Sequence, residues 1–136
     1  MTGIYPIDSL EQFKRIIYRD TPVIVFFYVP KWSSPCEKIA PIYEAFSAMP
    51  EYNSWLAFCK VDCDSQPDIA SINGPYPIAN VPTFILYRRG IELGRVVGSD
   101  KPALRDLLNR NISQGSSSYS SSNSRGVRPT PPYGWS

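Results

Sequence analysis

The chain of 136 residues contains no histidine. A Ser-His or Cys-His catalytic pair is therefore excluded, and so is any His-ligated metal. Its serines have no obvious base to activate them. Cysteine is scarce too: there are three, an odd number, which fits reduced thiols better than a disulfide framework. No apolar stretch approaches membrane-spanning length, and "VIVFFYV" (23–29) is a strand-sized run. The first residues, "MTGIYPIDSLEQF", show no charged leader followed by an apolar run, so they do not read as a secretory signal. The expected home is the cytoplasm, with the nucleus as the other option. Charge of one sign is also lacking. The net charge is +2, residues 1–112 balance acid against base, and the excess comes from Arg125 and Arg128. No basic face large enough for nucleic acid is visible, and no membrane partner is expected.

Two regions differ in composition. Residues 113–136, "SQGSSSYSSSNSRGVRPTPPYGWS", are dominated by Ser, Gly and Pro. Such a segment cannot bury enough apolar surface to offset chain entropy, so a disordered tail is expected there. Within it, Pro129 and Pro132 have P-x-x-P spacing, and Thr130-Pro131 could accept a proline-directed phosphate. Both patterns arise often by chance.

Residues 1–112 alternate strand-like and helix-like patterns. "GIYPI" reads as a first strand. "DSLEQFKRIIYR" reads as a helix, with Ser9 and Gln12 at capping-box spacing and Leu10, Phe13, Ile16 and Ile17 on one stripe. "PVIVFFYV" is apolar throughout, as a strand covered on both faces should be. A helix is expected from about 35 to 49, with Pro41 inside it. Then follow a strand, "WLAFCKVD", and a short helix, "QPDIASI". "TFILYRR" and "IELGRVV" form a hairpin around Gly90. A last helix, "SDKPALRDLLNR", has Ser99 as its expected cap and Leu104, Leu107 and Leu108 facing inward. Strands that alternate with helices predict a central sheet with helices on both faces.

One stretch carries chemistry. In "KWSSPCEKIAP" (31–41) a tryptophan, two serines, a proline and a cysteine open a helix. This stretch and the element order together resemble thioredoxin over roughly residues 3–112. The points of likeness are the strand running into Trp32, then Pro35 and Cys36, Pro41 in the following helix, "KVDCD", the "VPTF" loop (81–84), and Gly90 and Gly98. The resemblance implies an α/β thioredoxin fold: a central mixed β-sheet flanked by helices on both faces. It implies one domain over 1–112, a cis peptide before Pro82, and no cofactor. It also implies a groove where Trp32, Ser34, Pro35, Val81 and Pro82 could hold a protein or an extended peptide by strand pairing.

The departures from the family pattern bear on function. Where the family has Trp-Cys-Gly-Pro-Cys, this chain has Trp32-Ser33-Ser34-Pro35-Cys36. Ser33 replaces the attacking cysteine, Phe27 stands where the family has a buried acid, and Glu37 where it has a lysine. An insertion of about three residues falls in "NGPYPIAN", before the cis-proline loop. Disulfide exchange starts with a thiolate attacking sulfur, and a serine cannot begin it. Two readings follow. The first is a protein-binding or scaffold module without dithiol reductase activity. Under it Ser34 caps a helix with Pro35 at its first position and Glu37 three after the cap, an arrangement worth about 1 kcal/mol. The alternative is a single-cysteine oxidoreductase or redox sensor using Cys36, whose place in the first helical turn favours a thiolate while Glu37 opposes it.

The other two cysteines offer little chemistry. Four residues of strand would hold the Cα atoms of Cys59 and Cys63 about 13 Å apart, too far for a disulfide, which needs less than about 7 Å. Zinc would require a fourth ligand besides three thiols, so no metal site is expected. If the resemblance holds, Lys60 faces the place of the family's acid and meets the Phe27 ring. Its ammonium must then reach water, pair with Asp62, or stack on an aromatic face.

Overall fold

The computed structural model describes residues 3–29, 34–70 and 78–112. The tail expected over 113–136, most of the "NGPYPIAN" insertion, and Trp32 and Ser33 lie outside the described residues. The elements are β1 (Ile4–Pro6), α1 (Leu10–Ile17), β2 (Val23–Tyr28), α2 (Ser34–Ser47), α3 (Pro50–Asn53), β3 (Ala57–Asp62), β4 (Thr83–Arg88), β5 (Ile91–Val97) and α4 (Lys101–Ile112). The strands form one mixed sheet in the order β1-β3-β2-β4-β5. β1 and β2 run parallel to β3, and β4 runs antiparallel to both β2 and β5.

The continuous apolar run of β2 is explained by its place in the centre. Val23, Val25 and Phe27 point to one face, with Phe13, Ile16 and Ile17 of α1. Ile24 and Phe26 point to the other, with Ile39, Tyr43 and Phe46 of α2 and three leucines of α4. Each side chain so buried contributes about 1.5–3 kcal/mol. Leu104, Leu107 and Leu108 face inward as their spacing predicts.

Local chemistry sets the helix starts. The Ser9 hydroxyl accepts from the Gln12 N–H at 3.1 Å, and the Gln12 side chain accepts from the Asp8 N–H at 2.7 Å. This is the reciprocal cap its spacing predicts, with the return bond made one residue before the cap. α4 corrects the expectation for Ser99: Asp100 is the capping side chain, accepting from the Ala103 N–H at 3.0 Å. A carboxylate there also suits the positive end of the helix. α2 begins at Ser34 itself, so Ser34 stands in the first turn rather than at the cap.

Two further elements differ from the sequence reading. The helix expected over "QPDIASI" is a turn in its described part: the Gln66 carbonyl accepts from both Ile69 N–H (3.1 Å) and Ala70 N–H (3.2 Å). Just upstream, the Asp62 carboxylate accepts from the Asp64 and Ser65 N–H groups in a turn of its own. α3 is one turn with Pro50 at its start, and it closes against α4 where the Tyr52 hydroxyl donates to Asn109 Oδ1 at 2.8 Å.

The β4–β5 hairpin turns on Arg89 (φ 55°) and Gly90 (φ 79°). Two successive positive φ values match the twist of the strands. The turn docks on the end of α1: Gly90 N–H donates to Ile17 O at 2.7 Å, Arg89 N–H to Arg19 O at 3.0 Å, and both arginines of the turn bond Asp20. β5 carries a bulge. Leu86 opposes Gly94 and Tyr87 opposes Glu92, which leaves Leu93 as the extra residue. The bulge places Glu92 and Arg95 within 2.8 Å of each other, three residues apart.

A Cβ at Gly90 would run into the Tyr18 ring, whereas one at Gly98 (φ 100°) would meet nothing within 4 Å. Gly98→Ala should therefore cost about 1 kcal/mol from backbone strain alone, and Gly90→Ala about 1–2 kcal/mol because the exposed Tyr18 ring must also swing aside. Urea unfolding of both variants measures the difference. Equal losses would mean that the Tyr18 ring moves aside at no cost.

Candidate functional site

The ends of the parallel strands β2 and β3 meet the start of α2 and the residues before β4. The register fixes this pole: Tyr28 opposes Asp62, and Phe27 opposes both Val61 and Thr83. Pro35 is exposed in the first turn of α2 and Cys36 is buried. The Val81–Pro82 peptide is cis. Pro82 is buried, and Val81 is half-buried against the cluster that holds Phe27. The loop is tied on two sides: the Thr83 hydroxyl donates to Asn80 O at 2.6 Å, and Gly98 N–H donates to Pro82 O at 2.8 Å. The structure thus brings Pro35 and Cys36 to the same end of the sheet as Val81 and Pro82. Trp32, Ser33 and the Ser34 side chain, named with them from the sequence, lie outside the described residues.

Phe27 is wholly buried, with its ring edge-on to Phe13 at 6.1 Å between centroids. It packs in the α1-side cluster with Phe13, Ile17, Val25, Cys59 and Val61 among others. Lys60 does not meet it. Phe26, not Phe27, stands opposite Lys60 in the register, and directly paired residues of adjacent strands project to the same side. Lys60 therefore lies on the α2 side of the sheet, and Phe27 on the α1 side. Of the three fates open to its ammonium, the aromatic one is found. Nζ sits 5.9 Å from the centroid of the Tyr28 ring, at the outer reach of a cation–π contact.

Sequence reading did not find a cavity of about 230 Å³ beneath the first turns of α2. Cys36, Tyr28, Phe26, Tyr43 and Lys60 line it, with Glu37 and Glu44 at its helix side. Its signal in the sequence is weak: only the pairing of Lys60 with Phe26 brings these residues together. Deeper in, Tyr43 shares its hydroxyl proton between Cys59 O (2.7 Å) and Ile24 O (3.0 Å). Complete burial raises its phenol pKa well above the ordinary range.

None of the three cysteines is in a disulfide. Cys59 is buried in the α1-side cluster. Cys63 lies one residue past the end of β3, with its N–H donating to Tyr28 O at 2.9 Å, and packs half-buried against that same cluster. Burial pushes the Cys59 thiol from 9.0 up to about 12. Cys63 rises as far, by burial first and then by the charges of Asp62, Cys36 and Asp64. At neutral pH both are thiols, and neither is a nucleophile. Among the described residues, no three Cys, Asp or Glu side chains are grouped so that they could hold a metal ion.

The thiol shifts make stability depend on pH. A raised folded-state pKa gives stability that is complete below the unfolded value and is lost as pH climbs toward the folded one. For Cys59 the window runs from 9.0 to about 12. Between about pH 8 and pH 10.5 the native chain should lose about 2 kcal/mol more than Cys59→Ala does, at about 1.4 kcal/mol per pH unit above 9. Urea unfolding at both pH values tests this. Parallel losses would show that the Cys59 thiol ionises as freely in the fold as in the unfolded chain.

A sequence profile described as Thioredoxin matches residues 6–110. Thioredoxin of Malassezia sympodialis is 34% identical over 102 residues, which is 75% of this chain and 92% of that protein. Mitochondrial thioredoxin-2 of Schizosaccharomyces pombe is 36% identical over 102 residues, 75% of this chain and 71% of that one. Among solved structures, M. sympodialis thioredoxin superposes with a TM-score of 0.75 at 29% identity, covering 82% of this chain and 93% of that chain. Thioredoxin of Trypanosoma brucei brucei gives 0.70 at 29% identity over 79% and 89%. With a five-stranded mixed sheet, helices on both faces and the family profile spanning most of its length, this chain belongs to the thioredoxin family.

Proposed function

We propose that this thioredoxin-family chain is a protein-binding or scaffold module that does not reduce disulfides by the dithiol route. The observation that carries the reading is Phe27, fully buried among apolar side chains at the place of the family's acid. Thiol–disulfide exchange needs a nucleophilic thiolate and a path for its proton. Ser33 offers no sulfur, and Phe27 offers no proton acceptor. The loss of both parts fits a site released from thiol chemistry better than one altered at a single position. Cys36 is only 3% exposed, which favours packing over attack.

The binding surface we assign is the groove of Trp32, Ser34, Pro35, Val81 and Pro82, with an extended peptide as its occupant. Exposed Pro35 and half-buried Val81 support it. Three thiols outside any disulfide fit a reducing compartment such as the cytoplasm. No helix among the described residues is long and apolar enough to cross a membrane.

Insulin reduction with dithiothreitol tests the reading, comparing the chain with Ser33→Cys and Cys36→Ala. No turnover above dithiothreitol alone is expected from the native chain. Turnover that Cys36→Ala abolishes would sink the binding-module reading and install Cys36 as a single-cysteine nucleophile. Activity regained in Ser33→Cys would show that the groove still accepts a disulfide substrate.

A further inference from the structure

A second concavity, of about 720 Å³, opens at the opposite pole of the sheet. Its place follows from the register: Val23 pairs with Ala57 where β2 and β3 begin, one strand length away from Cys36 and Pro82. α1 forms one wall, the start of β1 another, and the turn between α3 and β3 the third. The volume lies within the range of ligand-binding clefts.

Its charge is one-sided. Arg15 and Arg19 line it, four residues apart and so on one side of α1 and its extension, and no Asp or Glu is among the lining residues. Both arginines are exposed, and among the described residues neither is in an ion pair. Asp20, next to Arg19 in sequence, is held by Arg88 and Arg89, and Glu11, four residues before Arg15, makes no ion pair with it among the described residues. The Arg19 charge also reaches the buried Cys59 thiol that lines the cleft, offsetting part of the rise that burial imposes there. Two unneutralised guanidinium groups on a chain with balanced charge form a local excess.

The cleft is aromatic as well. Tyr5 is 55% exposed and Trp55 50%, two of the few large apolar side chains that face solvent, and both line it beside buried Leu56 and Phe58. Exposed aromatics beside free arginines are the residue types that dominate protein-recognition surfaces. The outer edge of β1 is short and ends on Pro6, which has no N–H, so the recognition here is by side chains rather than by strand pairing.

We infer that this cleft docks an acidic peptide segment of a partner protein, its carboxylates on Arg15 and Arg19 and an apolar side chain against Trp55. The inference does not rest on the reading of the thiol site. Together the two surfaces would let one small domain hold two partners at opposite ends.

The test uses the full chain and a fluorescein-labelled peptide, Gly-Glu-Glu-Phe-Glu-Glu-Gly, followed by fluorescence anisotropy. Binding should weaken as salt is raised. It should fall at least about tenfold in Arg15→Glu/Arg19→Glu and several-fold in Trp55→Ala, and stay unchanged in Cys36→Ala. All the substituted cleft residues are exposed, so circular dichroism should show an intact fold. Absence of binding at millimolar protein would overturn the proposal, as would equal binding of the Lys-for-Glu peptide or indifference to the double arginine variant. Displacement by inorganic phosphate or ATP at equal concentration would also overturn it, by making the cleft a small-anion site.

Discussion

Strand β2 has no side left for water. It is paired along both edges, by β3 and β4, and covered on both faces, by α1 and by α2 with α4. A charge placed in such a strand loses its hydration and must find a partner within reach, and an unpartnered one is strongly destabilising. The chain meets this constraint by filling β2 with Val, Ile and Phe to the position just before its last residue. Phe27 is a consequence of that solution. An aromatic ring in the α1-side cluster adds burial and an edge-on contact to Phe13.

Much of this arrangement is legible in the sequence, because the strongest signals come from burial itself. The uninterrupted run of β2, the stripe on α1, and the alternating pair around Gly90 each report a face turned away from water. What escapes is decided by competition between neighbours. Ser99 and Asp100 are both good caps, and only the path of the chain determines that Asp100 reaches the Ala103 N–H. "QPDIASI" has helix-like spacing, but its described part closes only a single turn on the Gln66 carbonyl. α3 is too short to show any period.

The site is less legible than the fold for a related reason. Which residue faces which depends on pairing register, and a shift of one residue moves a side chain to the other side of the sheet. Lys60 is the example. The family resemblance implies a place near Phe27, whereas the register sets it opposite Phe26, on the other face of the sheet and over the Tyr28 ring. The cavity beneath α2 follows from that placement, and no local motif announces it. The same holds for Tyr43, whose spacing marks it as one more apolar stripe residue. Its hydroxyl in fact ties α2 to carbonyls of two adjacent strands, which anchors the helix that presents Cys36.

The bulge at Leu93 has a bearing on how this molecule can meet others. A flat outer strand is a template on which foreign chains can polymerise. Here one rim of the sheet is broken in step midway along β5, where an ion pair of Glu92 and Arg95 would have to be crossed by any incoming strand. The other rim is three residues long and closes on a proline. Among the described residues neither rim offers an unbroken ladder to copy, so the sheet is guarded against growth along both of its edges.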